Sequence, residues 1–502
     1  MGRALLKEGE TCWRKVETNR ISFIIDAADY FAAAKEAIQQ ARQCVYLIGW
    51  EFDLDIRLRP DIDDPKVPDQ LRHFLQHVVD QRPDLQIFVL QWRGAMLFNI
   101  ARQLGSYLLL KIKAKPQIHF RLDGKHPAVA CHHQKIIVID DVLAFCGGID
   151  MTSGRFDDWH HRSERPLPDR PMPWHDMTVA LDGEAARSLG ELARWRWKNA
   201  TGHDLPVPSA CQPIWPDRLK PDLRDALVGI ARSRPAYAGN EQIQEVERLW
   251  CAAIGSARHR IYIENQFLSS GKIARALQAK LEEAGGPEIV IILPFAAESW
   301  LESEAMDTRR SLILHKLRRA DTDGRLGVYH PVNADGEHIY VHAKLLIVDE
   351  DFVRIGSSNM ASRSMATDTE CDLALEASDQ PELSGFLVAM RNGLMAEHLG
   401  VPVATIEAAL EQCNGSIVAT IERLRRRDGR TLQVLETREL NESEKALAES
   451  CLLDPEKPIN VLRRLGDFSK EELKRSRTAW AMLGLAGAAL AAWKLAGRGK
   501  ST

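Results

Sequence analysis

Two four-residue apolar runs punctuate the chain, Ile136-Ile137-Val138-Ile139 and Leu345-Leu346-Ile347-Val348. Short unbroken runs of this kind read as buried strand cores. Around the first, the pattern predicts an Ala-rich helix over 30–43, a strand over 45–50, a helix over 69–79, and strands at 86–90 and 118–120. A strand over 173–181 and an Ala- and Trp-rich helix over 184–198 follow it. Strands alternating with helices predict an α/β sheet. The order then restarts. Residues 253–263 match 37–47, Glu288–Leu293 answers the strand at 86, and Gly327–His330 answers Ile118–Phe120. Repetition on this scale is that of a whole domain. The expectation is two similar mixed-sheet α/β lobes, residues 1–205 and 241–400, joined by a linker over 206–240 with prolines at 206, 208, 213, 216 and 221.

Beyond residue 400 the repeat ends. Residues 401–477 are expected to be a helical extension, with 403–427 reading as helical and closing in Arg423, Arg425, Arg426 and Arg427. Residues 479–493 carry no charge, and Trp480 and Trp493 mark their ends. Extended to 478–497, the segment reaches the length needed to span a bilayer, and Lys and Arg flank it as at an interface. It reads equally as a membrane anchor or as a helix docked on the protein. Net charge is −4 with 45% hydrophobic residues, so no global basic field draws the chain to nucleic acid. Nine scattered cysteines without a C-x-x-C fit reduced thiols in a cytosolic setting. The N-terminus, with charges at Arg3 and Lys7, is not expected to be a signal peptide.

The chemistry concentrates at the two apolar runs. His133 and Lys135 precede the first, and Asp140 follows it; His342, Lys344 and Asp349 hold the same places around the second. After six further residues come Gly147-Gly148-Ile149-Asp150 and Gly356-Ser357-Ser358-Asn359. Residues two apart on a strand share a face, so each motif offers an imidazole beside an ammonium. That pair suits a phosphoryl group, with Lys on its oxygens and His as nucleophile or proton donor. Gly148 allows close approach of a ligand, and Asn359 and Ser357 can donate to phosphate oxygens. Aligning the strands after each motif sets Glu370 opposite Asp176. These acids are expected to orient the histidines, each able to serve the His of the opposite lobe. Asp140 and Asp349, at the far strand ends, are expected to be structural. The pairs His132-His133 and His160-His161 lack further ligands at a recognisable spacing, so no metal or cofactor is expected.

The repeated H-x-K-x4-D-x6-G-[GS]-x-[DN] pattern resembles the signature of the phospholipase D superfamily. Residues 261–267, Pro173–Asp176 and the stretch from Ser358 through Arg363 to Glu370 resemble further segments of it. The resemblance spans about residues 30–400. It implies the phospholipase D fold, two α/β lobes packed as a pseudo-dimer around one active site, and a covalent phosphohistidine mechanism. His133 would be the nucleophile and His342 the acid and base, roles that could be swapped. Lys135, Lys344 and Asn359 would hold phosphate. Asp150 departs from the commoner Asn and shifts phosphate binding toward the second lobe. The implied substrate is a glycerophospholipid at a membrane surface, cleaved to phosphatidic acid with water or an alcohol as acceptor. Cardiolipin synthase-like transfer is the alternative and nuclease activity a third. A cytoplasmic-side protein, peripheral or anchored through its C-terminus, would fit.

Overall fold

The computed structural model describes residues 4–62, 66–94, 115–127, 130–164, 172–297, 306–440 and 454. Strands in the first half are β1 (Arg14–Ile25), β2 (Cys44–Gly49), β3 (Gln86–Trp92), β4 (Ile118–Asp123), β5 (Ile136–Ile139), β6 (Leu143–Gly147), β7 (Trp174–His175) and β8 (Met177–Asp182). Those of the second are β9 (Leu223–Arg234), β10 (Ile243–Gln244), β11 (Arg260–Glu264), β12 (Glu288–Ile292), β13 (Leu326–Val332), β14 (Tyr340–Val341), β15 (Leu345–Val348), β16 (Phe352–Gly356), β17 (Glu370–Glu376) and β18 (Thr431–Val434).

All but β7 and β14 belong to one continuous mixed sheet. Its centre is the antiparallel pair β1–β9. Outward from β1 run β8, β6, β5, β2, β3 and β4; outward from β9 run β17, β16, β15, β11, β12 and β13, with β18 on the far edge. The two halves therefore repeat one strand order in opposite directions from a shared middle.

Helices cover both faces. Ala27–Gln40 and Leu71–Gln81 pack on the first half with Val45, Leu47 and Ile137. Glu245–Ser256, Gly271–Glu282 and Thr308–Ala320 do the same on the second with Ile261, Ile289 and Leu346. On the opposite face one apolar cluster spans both halves, from Tyr46 and Val138 to Leu345 and Ile347, beneath the helices Gly183–Thr201 and Glu382–Leu399. Burying both faces explains why the motif strands are uniformly apolar.

The chain departs from the sequence expectation at three places. The linker over 206–240 contains β9, a central strand. Its prolines end at Pro221, and Leu223, Ala226, Val228 and Ile230 then point inward. Its partner β1 was not predicted either, because Lys15, Glu17, Asn19 and Arg20 mask the alternation. The helical stretch over 403–427 is two helices, Val403–Gln412 and Ile417–Leu424, broken where Asn414 and Gly415 take positive φ, a backbone state that stops a helix. The extension also supplies β18. The hydrophobic segment 478–497 lies outside the described residues. Among the described residues, no helix is long and apolar enough to cross a membrane, and the cysteines are all unpaired thiols.

Candidate active site

Each motif histidine sits three residues before its strand, and its main chain is tied to the other half. The His133 amide donates to Thr369 O at 2.9 Å, and the Thr369 amide donates to Cys131 O at 3.0 Å. Likewise the His342 amide donates to His175 O at 2.7 Å, where β14 pairs in parallel with β7. This register sets each imidazole against the acid that opens the other half's strand. His133 Nδ1 donates to Glu370 Oε2 at 3.0 Å, and His342 Nδ1 donates to Asp176 Oδ2 at 2.6 Å. Both acids are fully buried. The carboxylates fix the tautomer and leave each Nε2 as the reactive nitrogen.

The lysines differ. Lys135 Nζ pairs with Asp150 Oδ2 at 2.8 Å, and Asp150 is itself held by the Trp50 amide. Lys344 makes no such ion pair among the described residues; Nζ donates to the His342 carbonyl and to Gln266 Oε1 at 3.3 Å. Asp150 thus answers the ammonium of the first half, whereas Lys344 is met by neutral oxygens. The halves meet closely here. A Cβ on Gly148 would lie 2.2 Å from Asp176 Oδ1 and 3.3 Å from Lys344 Cδ, so only glycine fits between the first half's acid and the second half's lysine.

Electrostatics describe a site short of an anion. Burial drives His133 well below the usual imidazole range, with Lys135 and Lys344 adding to it; burial and then Lys344 do the same to His342. Burial brings Lys344 down to about 7, Asp176 opposing the fall and Lys135 deepening it. Burial also pushes Asp176 up to about 7, and with Asp368 it raises Glu370 well above the usual carboxylate range. In each dyad burial disfavours the charged form of both the imidazole and its carboxylate. An entering phosphate would favour the charged form of every cation around it.

Ser357 departs from its expected role. Its hydroxyl donates to Glu370 Oε2 at 2.5 Å and accepts from the Cys371 amide at 3.0 Å. It supports the acid of His133 rather than facing a ligand, and Gly148 leaves room for the acid of His342 at the matching place. The Asn359 side chain is buried, and its Oδ1 has no hydrogen-bond partner among the described residues. Asp140 accepts the amides of Arg42, Gln43 and Cys44 at 2.7–2.8 Å. Asp349 accepts those of Arg258, His259 and Arg260 at 2.6–2.7 Å. Both clamp the entry to a neighbouring strand, away from the histidines.

Other residues complete the site. Asp368 receives the Cys131 amide at 2.8 Å and pairs with Arg363 at 2.5 Å, steadying the approach to His133. Trp174 stacks on Tyr340 with centroids 4.5 Å apart and lies 5.2 Å from the His342 ring, with Arg155 over its other face at 3.8 Å. Arg363 and Asp368 lie in a segment whose resemblance was visible in the sequence. Arg155 carries no such signal.

The chain is similar to proteins of known family. Residues 250–384 match the family model for the cardiolipin synthase, phospholipase D-like domain. Phospholipase D A of Dictyostelium discoideum is 25% identical over 472 residues, covering 76% of this chain and 36% of the relative. Phospholipase D2 of Bos taurus is 24% identical over 480 residues, covering 71% and 49%. The chain is thus similar to the phospholipases D over about three quarters of its length, and residues 250–384 carry the phospholipase D-like domain. Its fold is also that of phosphatidylserine synthase from Haemophilus influenzae, with a TM-score of 0.56 at 14% identity over 87% of this chain and 93% of that one. The chain spans about a third to a half of the length of the first curated relatives it matches. Its two motifs differ from each other at Lys135–Asp150 against Lys344–Asn359.

Proposed function

We propose that the protein is a phospholipase D-type phosphodiesterase that removes the head group of a glycerophospholipid through a phosphohistidine. The observation that carries this reading is the pair of crossed His–carboxylate dyads beside Lys344, which has no carboxylate ion pair among the described residues. His133 is the nucleophile. Its acid, Glu370, divides Oε2 between the imidazole and Ser357, so it supports imidazolium less than Asp176 does at 2.6 Å from His342. His133 Nε2 bonds to phosphorus as the bond to the head-group oxygen breaks; His342, protonated on both nitrogens once the phosphate anion is bound, gives that oxygen its Nε2 proton and keeps Nδ1–H on Asp176. In the second step His342 takes a proton from water, whose oxygen displaces His133 and releases phosphatidic acid. Lys344 and Asn359 hold the phosphate oxygens, with Lys135 alongside. No metal or cofactor enters this route.

The same intermediate can pass its phosphatidyl group to an alcohol, and the description of the matching family model favours keeping that second reading. Purified protein on mixed liposomes, with and without a primary alcohol or phosphatidylglycerol, is the test. Phosphatidic acid is expected in water, and a phosphatidyl-alcohol or cardiolipin product marks transfer. No product from any phospholipid under either condition rejects the assignment.

The protein acts from the cytoplasmic side as a peripheral or C-terminally anchored enzyme, its tail supplying membrane contact. Removing residues 478–502 is expected to shift the protein from the membrane to the soluble fraction. An unchanged distribution means the tail is no anchor.

A further inference from the structure

Behind the active site lies a second cluster of donors, assembled from four separate parts of the chain. Asp26 closes β1, His161 lies on the loop after β6, His175 ends β7, and Glu397 belongs to the helix Glu382–Leu399 of the other half. One ligand atom from each falls within a 4.8 Å group. His161 Nε2 is 3.0 Å from Glu397 Oε1 and 3.7 Å from Asp26 Oδ2; His175 Nδ1 is 3.1 Å from Glu397 Oε1 and 3.4 Å from Asp26 Oδ1. A tetrahedron with metal–ligand bonds of about 2.0 Å has edges of roughly 3.3 Å. The four contacts, two of them to different Asp26 oxygens, lie between 3.0 and 3.7 Å, close to that edge length.

Two further observations point to an occupant. Asp26 Oδ2 and His175 Nδ1 are buried without a hydrogen-bond partner among the described residues. Both side chains are at most 1% exposed; His175 Nδ1 lies within 3.4 Å of both Asp26 and Glu397, and Asp26 Oδ2 lies 3.7 Å from His161 Nε2. The outer nitrogens are engaged as in metal sites. His161 Nδ1 meets Asp157 Oδ2 at 2.9 Å, and His175 Nε2 meets Glu264 Oε2 at 2.8 Å. Each carboxylate holds the outer N–H and turns the remaining lone pair inward.

We propose that Asp26, His161, His175 and Glu397 bind one divalent transition-metal ion, zinc by the mixture of imidazole and carboxylate donors. Four protein ligands leave no open position, so the ion is structural. It ties the first half to the second directly behind a catalytic acid. The Asp26 amide donates to Asp176 O at 2.8 Å, and Asp26 Oδ1 accepts the Asp176 amide at 3.1 Å. The metal thereby steadies the residue that holds His342. The competing explanation is a metal-free cluster of imidazolium–carboxylate pairs, with Arg430 Nη2 adding a cation 3.9 Å from Glu397.

The test is metal analysis of the full-length protein purified without chelator. About one equivalent of zinc per chain is expected, as for a closed structural site. His161→Gln and Glu397→Gln should each lose it. Dialysis against a strong chelator should lower Tm, and zinc should restore it. If the variants fail to fold, cobalt added to the chelator-treated native protein decides the question, since a tetrahedral His and carboxylate site gives intense visible absorption. Folded protein that takes up neither zinc nor cobalt stoichiometrically overturns the proposal in favour of the ion-pair cluster.

Discussion

His133→Ala and His342→Ala are each expected to lower turnover by a thousandfold or more on the order of magnitude seen for residues acting as a unit. The double variant should be little worse than either alone. The reason is mechanistic. Without His133 there is no covalent intermediate, and without His342 the leaving alkoxide has no proton and the water of the second step has no base. Neither change should unfold the protein, because the strands β5 and β15 are held by apolar packing on both faces and by the Asp140 and Asp349 clamps. Steady-state turnover of a labelled phospholipid, with circular dichroism as the folding control, measures the effect. Quenching early in the reaction should trap an acid-labile, base-stable phosphoryl adduct on His133. Label on His342 would reverse the two roles, and substantial activity in either variant would discard the mechanism.

The second large effect concerns stability. Arg354 and Asp372 are completely buried beneath the second motif, with Nη2 to Oδ1 and Nε to Oδ2 both at 2.7 Å. Arg354 also donates to Lys344 O at 3.0 Å and Ser358 O at 3.1 Å. Arg354→Met leaves the Asp372 carboxylate buried with its cation gone, a change that costs about 3–5 kcal/mol. Chemical denaturation should show this as a lower midpoint with an unchanged slope. The first half makes the equivalent joint without charge. Phe145 stands where Arg354 does, counted from Gly147 and Gly356, and Thr178 pairs with Gly147 as Asp372 pairs with Gly356. Arg354→Phe combined with Asp372→Thr should therefore recover much of the loss. A cost below about 1 kcal/mol for Arg354→Met would mean that water or another group compensates Asp372.

Much of this was legible before any coordinates, for a physical reason. Burial on both faces forces strands such as Ile136–Ile139 into unbroken apolar runs, and the duplication presents the same signal twice. The acids Asp176 and Glu370 were found because two imperfect copies could be aligned. What escaped had weaker local signatures. β1 carries charges that pair with other elements, Arg14 with Glu191, Lys15 with Glu376 and Arg20 with Asp182, so its alternation is hidden. β9 was obscured by the neighbouring prolines. Ser357 was assigned to phosphate on residue type alone, but the hydroxyl follows the buried carboxylate nearest to it. The cluster of Asp26, His161, His175 and Glu397 could not be read from spacing, since its members are 135, 14 and 222 positions apart in sequence and only the fold collects them.

The crossed dyads also change how damage to such a chain should be diagnosed. Each H-x-K motif is a contiguous string, but the working unit is a histidine plus a carboxylate 166 or 237 positions away in the other half. A relative with both strings intact can still be inert if the residue matching Asp176 or Glu370 has drifted. The defect would then silence the motif of the undamaged half. Counting motifs therefore overestimates the number of competent enzymes among such sequences. Checking the acids across the dyad is the better criterion for separating catalysts from pseudoenzymes.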